Sequence, residues 1–166
     1  MCSKTHNPTV LILDLDGVLI TTPTWKADTI DTDGYSAFNQ SCIQNLNQLL
    51  EIGNFHIWLS STRRTVKTLQ EFNLIFKNRH IIQNIEGFVP QYPNCKNRKE
   101  EIIKFIEAHK IEFFLIIDDD KILYDLDKNR KEQHLVSTNL TEGFNSEKLK
   151  EAILKYHQQH LENNNF

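Results

Sequence analysis

The chain has 166 residues, enough for one compact domain with its own hydrophobic core and too few for a second domain of ordinary size. Its net charge of −3 at pH 7 excludes a global basic field that would attract nucleic acid, but not a local basic patch that binds a nucleic-acid end. No apolar run approaches the roughly 20 residues that cross a bilayer, and the N-terminal segment lacks the apolar core of a signal peptide. We therefore expect a cytoplasmic protein that does not bind a membrane.

Apolar runs and helical stripes alternate along the chain. In chain order we predict a strand at 10–15, a loop at 20–34, a helix at 38–52 that stops near Gly53, a strand at 55–59, a helix at 66–76, a short strand within 81–89, a loop at 90–97, a helix at 98–109, strands at 113–117 and 134–137, a helix at 146–160 with Ser146 as N-cap, and a frayed tail at 162–166. The three cysteines, Cys2, Cys42 and Cys95, are odd in number and far apart, which indicates neither a disulfide framework nor a zinc site.

This alternation predicts a three-layer α/β fold with a mainly parallel sheet. We expect a single domain over residues 1–166, with its core at about 8–160. Ligands of such sheets bind beyond the carboxyl ends of the strands. The acidic and hydroxyl clusters of this sequence all fall at those ends, so we expect the functional site there.

Asp14 and Asp16 lie at the end of the first predicted strand. Because they are two residues apart on an extended backbone, their side chains point to the same side. Carboxylates this close repel each other unless a cation or a shared proton compensates, and Mg²⁺ prefers such oxygen ligands. We predict that Asp14 is the nucleophile that forms an aspartyl-phosphate, that Asp16 is the general acid and base, and that both are metal ligands. A solvated DxDG turn is the alternative.

Ser60 directly follows the second buried strand. Its hydroxyl and the backbone N–H groups of the next turn are suited to hold a phosphoryl oxygen, with Ser61 as the neighbouring candidate. A helix N-cap at Ser61 or Thr62 is the alternative function of these hydroxyls. Arg63 is the better candidate of the two following arginines for contact with a substrate phosphate.

Arg98 and Lys99 open the helix predicted at 98–109. A cation aimed at the site would neutralise both the phosphoryl group and the nucleophilic carboxylate. Alternatively, both residues belong to an exposed charged stretch that includes Lys96. We assign Arg98 to the catalytic group and Lys99 to substrate binding.

Three aspartates, residues 118–120, follow the buried strand at 113–117. Three adjacent carboxylates cost stability unless they bind a cation, and capping a following helix explains only one of them. Asp118 and Asp119 are the predicted metal-site pair. Asp125 is a weaker candidate that is also compatible with a solvated helix.

These four clusters, in this order, resemble the motifs of the haloacid-dehalogenase (HAD) superfamily: DLDGVL at 14–19, a hydroxyl at Ser60, a basic residue near Arg98 and IIDDD at 116–120. The segments WLSSTRR, RKEEI and HLVSTNLTEGF resemble, more narrowly, the small branch linked to RNA-repair "Swiss Army knife" proteins. That branch usually has Trp where Thr62 stands, a departure that bears on the local substrate contacts.

The resemblance implies a Rossmann-like fold, Mg²⁺ and phosphoryl transfer through aspartate. It also implies a capless domain, because the intervals between motifs have room only for connecting elements and at most a small flap at 21–35. Trp25 and Tyr35 of this flap would lie over the site or pack against the sheet. An open site admits bulky phosphorylated ends as well as small phosphomonoesters.

We therefore predict a Mg²⁺-dependent phosphomonoesterase whose partner is a phosphorylated substrate, either a small molecule or a nucleic-acid end. One alternative is a metal-binding regulatory module that has the fold without turnover. The other is a phosphotransferase that passes the phosphate to a different acceptor.

Overall fold

The computed structural model describes residues 7–162, and within this range five parallel strands form one sheet. In chain order the strands are β1 (Thr9–Leu13), β2 (Phe55–Leu59), β3 (Ile85–Phe88), β4 (Phe114–Asp118) and β5 (Leu135–Ser137). Across the sheet their order is β3-β2-β1-β4-β5, so β1 and β4 are central neighbours. The predicted parallel α/β fold of Rossmann-like type is confirmed. Cys2 and the last four residues of the predicted tail lie outside the described range.

Helices cover both faces of this sheet. They are α1 (Gln40–Glu51), α2 (Leu69–Asn78), α3 (Arg98–Ala108), α4 (Lys128–His134) and α5 (Ser146–Glu162), with 3₁₀ turns at Thr62–Thr65 and Lys121–Asp125. Successive residues of β1 face opposite sides, as in any strand. Leu11 and Leu13 pack with the apolar residues of α1, α2 and α5, while Ile12 packs with those of α3. Each face of the sheet therefore has its own apolar core.

Most bounds differ from the sequence prediction by one or two residues, and larger differences occur at α2, at the cap of α5 and at α4. Helix α2 begins at Leu69 and not at 66, because Thr68 and Glu71 form a capping box that fixes the start of the helix. The side chain of Asn145, and not that of Ser146, caps α5 by accepting the N–H of Lys148 at 3.0 Å. The short helix α4 was not predicted, since its residues are almost all polar.

A flap at 21–36 follows β1, and no large cap domain is present in the described chain. Arg79 at the end of α2 holds this flap, with hydrogen bonds to the Asp33 carboxylate and to the carbonyl oxygens of Tyr35 and Ser36. Tyr35 is buried against aromatic rings of the core, whereas Trp25 is 84% exposed. Two positions were predicted for these rings, over the site or packed against the sheet. Tyr35 packs into the core.

No helix among residues 7–162 combines the length and the apolar character needed to cross a membrane.

Candidate active site

Asp14 is the first residue after β1 and is 2% exposed. Its Oδ1 accepts the N–H of Leu15 at 2.8 Å, and its Oδ2 accepts a hydrogen bond from Nη1 of Arg98, also at 2.8 Å. Both oxygens are thus held in defined positions at the carboxyl edge of the sheet. A carboxylate with fixed oxygens at this edge is suited to attack an electrophile that approaches from outside the sheet.

Arg98 joins the carboxyl ends of the two central strands. It is the first residue of α3, which is capped by the Asn97 side chain, and its Nη1 also donates to Asp118 at 2.9 and 3.0 Å. Since Asp14 and Asp118 end neighbouring strands, their carboxylates share this one guanidinium nitrogen. The arginine compensates part of their repulsion.

The three consecutive aspartates have three different environments. Asp118 ends β4, is buried, and accepts the N–H of Asp120 at 2.9 Å and the Ser60 hydroxyl at 3.4 Å. Asp120 caps the next 3₁₀ turn by accepting the N–H of Ile122. Asp119 packs against Gly17, where an added Cβ would lie 2.1 Å from its Oδ2. Only Asp118 and Asp119 therefore have carboxylates directed to the site, and Asp125 is exposed.

Asp14, Asp118 and Asp119 form a group that fits a divalent cation. Each offers one carboxylate oxygen, and these oxygens lie within 4.8 Å of one another. Burial, and then the charge of Asp14, raise the pKa of Asp118 and raise that of Asp119 to about 6. Three carboxylates with a single arginine leave a negative site, and hard oxygen donors of this kind are what Mg²⁺ binds. The donor set is therefore appropriate for Mg²⁺.

The structure differs from the prediction at Asp16, whose carboxylate is not part of this acidic group. Both of its oxygens accept hydrogen bonds from Arg63, at 2.8 Å from Nε and 2.8 Å from Nη2. The side chains of Asp14 and Asp16 diverge because β1 ends at Leu13, so the extended geometry assumed for the pair does not continue through residue 16. Arg63 is bound to carboxylates here, and its predicted role as a phosphate contact requires that pair to open.

The remaining predicted site residues divide into two sets. Ser60 is buried and contacts Asp118, while the Ser61 side chain caps the following 3₁₀ turn by accepting the N–H of Arg63 at 3.3 Å. Lys99 makes no ion pair or side-chain hydrogen bond with any residue from 7 to 162, unlike Arg98 next to it. Only Ser60 and Arg98 of these four contact the acidic group.

Sequence reasoning missed several residues that shape the site. Arg63 also donates to Asp28 at 2.8 Å and to the Ser36 hydroxyl at 3.0 Å. The same hydroxyl donates to Asp28, and this hydrogen bond, followed by that from Arg63, lowers the pKa of Asp28. The Thr138 hydroxyl donates to the carbonyl of Gly17 at 2.6 Å and holds the turn that follows Asp14. A hydroxyl directly after a predicted strand was a usable signal for Thr138. No comparable sequence signal marked the flap residues Asp28 and Ser36, because their loop has no periodic pattern.

Acidic groups at the ends of β1 and β4, a hydroxyl after β2 and an arginine at the start of α3 characterise the HAD class of hydrolase domains. Within this class, the sequence matches the model of the family described as "HAD domain in Swiss Army Knife RNA repair proteins" over residues 10–149, and the chain belongs to that family. The resemblance drawn from the motifs is therefore confirmed.

Among solved structures, the chain is similar to a haloacid dehalogenase-like family hydrolase from Streptococcus pneumoniae, with a TM-score of 0.46 and 15% sequence identity. The match covers 87% of this chain and 90% of that chain. No curated protein matches the chain.

Proposed function

We propose that this domain is a Mg²⁺-dependent phosphomonoesterase that works through an aspartyl-phosphate on Asp14. The observation that carries the proposal is the shared contact of Arg98 with Asp14 and Asp118, in a group completed by Asp119. A buried carboxylate, a guanidinium group and two further carboxylates lie together at the sheet edge, which supports the roles of nucleophile, compensating cation and metal ligands proposed for them. When bound, Mg²⁺ supplies the positive charge that neutralises these carboxylates and a phosphoryl oxygen.

In the first chemical step, an oxygen of Asp14 forms a bond to phosphorus as the bond to the leaving oxygen breaks. Arg98 lies beside Asp14 and balances the negative charge of the phosphoryl group. The Ser60 hydroxyl, which is near Asp118, donates to a phosphoryl oxygen. Asp16 gives its proton to the leaving oxygen, which departs as an alcohol.

In the second step, water attacks phosphorus and Asp16 accepts its proton. The bond between Asp14 and phosphorus breaks, inorganic phosphate leaves, and the Asp14 carboxylate is restored. In the structure Arg63 donates to both oxygens of Asp16, so the reaction requires one of these hydrogen bonds to open when substrate binds, while the other keeps Asp16 oriented.

For the substrate we propose a nucleotide or a polynucleotide with a terminal phosphate. Support comes from the family, whose described members are domains of RNA repair proteins, and from the absence of a large cap in the described chain. An open site admits the end of a long chain, which a closed cap would exclude.

The test is phosphate release from an aryl phosphate and from 3′- and 5′-phosphorylated oligonucleotides, with Mg²⁺ and with EDTA. We expect Mg²⁺-dependent release, and a loss of about 10³-fold or more in kcat for Asp14→Asn, because covalent catalysis needs the ionised carboxylate. The matched control is Asp125→Asn, at an exposed aspartate outside the acidic group. Full activity of the Asp14 variant would refute the nucleophile assignment. Transfer of the phosphate to an added alcohol in place of water would identify a phosphotransferase.

A further inference from the structure

A polar groove lies beside the candidate active site. Its volume is about 280 Å³, and it is formed by the turn after β2, the segment before α3 and the start of the 3₁₀ turn after β4. Arg98 lines the groove and also binds Asp14, so the groove and the acidic group share this arginine. The other charged residues that line it are Arg64, Lys96, Glu101 and Asp120, and the thiol of Cys95 lines it as well.

The cations of this groove differ in how they are paired. Arg64 is buried and binds Glu101 at 2.8 Å and three carbonyl oxygens, so it serves to hold the loops together. Lys96, in contrast, is exposed, and its ammonium group has no carboxylate partner among residues 7–162. An unpaired cation in a groove beside a phosphoryl site is suited to bind a second anion of the substrate.

Arg98, which lines the same groove, has hydrogen-bond donors that no residue from 7 to 162 uses. Within residues 7–162 only its Nη1 donates hydrogen bonds, to Asp14 and Asp118. Its Nε and Nη2 groups, which form the fork that matches a pair of phosphate oxygens, have no partner there. Lys96 lies two residues before Arg98 and lines the same groove, so the two residues are at most roughly 7 Å apart along the chain.

We propose that this groove binds the nucleotide next to the phosphorylated end, with Lys96 on the neighbouring phosphodiester. The inference deepens the proposed function and rests on it. A polynucleotide end has a second negative charge one unit from the reacting phosphate, whereas an ordinary phosphopeptide has neutral backbone there. The volume is near the lower end of the range for ligand pockets, which suits one nucleoside.

The first test compares thymidine monophosphate with thymidine dinucleotides that have one terminal 3′- or 5′-phosphate. We expect the intact protein to favour a phosphorylated dinucleotide in kcat/KM, and Lys96→Gln to lower that preference by about tenfold, as loss of one charged phosphate contact predicts. Lys77→Gln is the matched control. Lys77 is exposed on α2, and this substitution removes the same charge at a residue that does not line the groove. Phosphate release with an unchanged preference in Lys96→Gln would overturn the inference and leave the proposed function intact.

The second test does not depend on turnover. Cys95 lines the groove as a free, partly buried thiol, while Cys42 is buried elsewhere in the core. In an Asp14→Asn protein with Mg²⁺, we expect the phosphorylated dinucleotide to slow alkylation of Cys95 by iodoacetamide several-fold more than thymidine monophosphate does. Peptide mass spectrometry resolves each cysteine, and a constant low modification of Cys42 controls for unfolding.

Adding Lys96→Gln to this protein should abolish the difference between the two ligands. Equal alkylation of Cys95 with either ligand would overturn the groove assignment. Failure to hydrolyse any phosphate ester in the first test would instead refute the proposed function, and the alkylation result would then decide the groove by itself.

Discussion

Arg63 donates hydrogen bonds to both oxygens of Asp16, each at 2.8 Å, through the two nitrogens on one edge of its guanidinium. The same group donates to Asp28 and Ser36 of the flap at 2.8 and 3.0 Å. Arg63 therefore connects Asp16, the proposed general acid and base, to the flap. We infer that the orientation of Asp16 and the position of the flap depend on each other.

Replacement of Arg63 by lysine tests this connection. Lysine keeps the charge but cannot form the planar two-nitrogen contact, so Asp16 loses its fixed orientation. We expect kcat with an aryl phosphate to fall by about tenfold or more, which is a part of the roughly 10²–10⁴-fold that a positioned acid–base group contributes. The surface variant Arg130→Lys, which changes the same residue type at an exposed pair with Glu107, should have normal kcat. Normal kcat in both variants would show that Arg63 does not position Asp16.

Gly17 determines where Asp119 lies. Its φ is +69°, and a Cβ would lie 2.1 Å from Oδ2 of Asp119. We expect Gly17→Ala to cost about 1–2 kcal/mol for the left-handed backbone and, in addition, to displace Asp119 and raise the Mg²⁺ concentration needed for half-maximal activity.

Gly34→Ala is the control for this variant, because Gly34 has a φ of +77° with no atom within 4 Å of an added Cβ. It should lose stability to a similar backbone penalty and keep the normal Mg²⁺ dependence. An equal Mg²⁺ dependence in both alanine variants, measured by titration of activity, would contradict the role of Gly17.

The stability of the metal-free protein should depend on pH through Asp119. Burial and the charge of Asp14 raise its pKa to about 6, whereas an aspartate in an unfolded chain titrates near 3.9. The folded state therefore binds the proton of the Asp119 carboxyl group more tightly than the unfolded state does. The contribution of this group to the free energy of unfolding is fully present below about pH 4 and is lost as the pH rises to about 6.

We therefore expect Asp119→Asn to become more stable relative to the unmodified protein as the pH rises through this window in EDTA. Thermal unfolding at several pH values measures the difference, with Asp125→Asn as the exposed control. Saturating Mg²⁺ should stabilise the unmodified protein, so that it becomes more stable than Asp119→Asn. If the difference in Tm between Asp119→Asn and the unmodified protein stayed constant from pH 4 to 6, the predicted role of Asp119 would be contradicted.

Asp33 anchors the flap to the buried Arg79, with which it forms hydrogen bonds at 2.5 and 3.1 Å. These bonds lower the pKa of Asp33, so its contribution to stability is present above about pH 3.9 and is lost as the pH falls through the folded value. We expect Asp33→Asn to destabilise the protein by about 1 kcal/mol at pH 7, a modest value because solvent partly screens the pair.

Asp31→Asn is the matched control, since Asp31 is exposed and lies 3.6 Å from Arg79. The loss of unfolding free energy in Asp31→Asn, measured by urea unfolding, should be smaller than that in Asp33→Asn. The difference in stability between Asp33→Asn and the unmodified protein should shrink below pH 4, and one that persists to acidic pH would indicate a contribution other than this ion pair.

Hydrophobic periodicity was sufficient for most of the fold. The run VLIL in β1 and FFLII around β4 predicted buried strands, because strands covered on both faces are continuously apolar. Hydrophobic periodicity failed where polar side chains set the start of a helix or formed most of it. The capping box at Thr68 moved the start of α2, and the almost entirely polar α4 has no apolar stripe for a periodic pattern to detect.

For the site, the sequence indicated which strand ends carry chemistry. Parallel strands bring their carboxyl ends to one edge, so the sequence alone predicts that Asp14, Ser60 and Asp118 lie near each other. The direction of each side chain could not be predicted, because it depends on contacts made across the fold. Asp16 is two residues from Asp14, yet it turns to Arg63, which lies 47 positions along the chain.

By itself, then, the sequence determined the class of sheet, the order of the motifs and the edge at which they meet, since these follow from local apolar patterns and from the rules of parallel connections. Only the tertiary structure decided which carboxylates share Arg98, which one pairs with Arg63 and where a groove opens beside them. Such pairings depend on distances of a few ångströms between side chains far apart in the chain, and local sequence patterns carry no information at that scale.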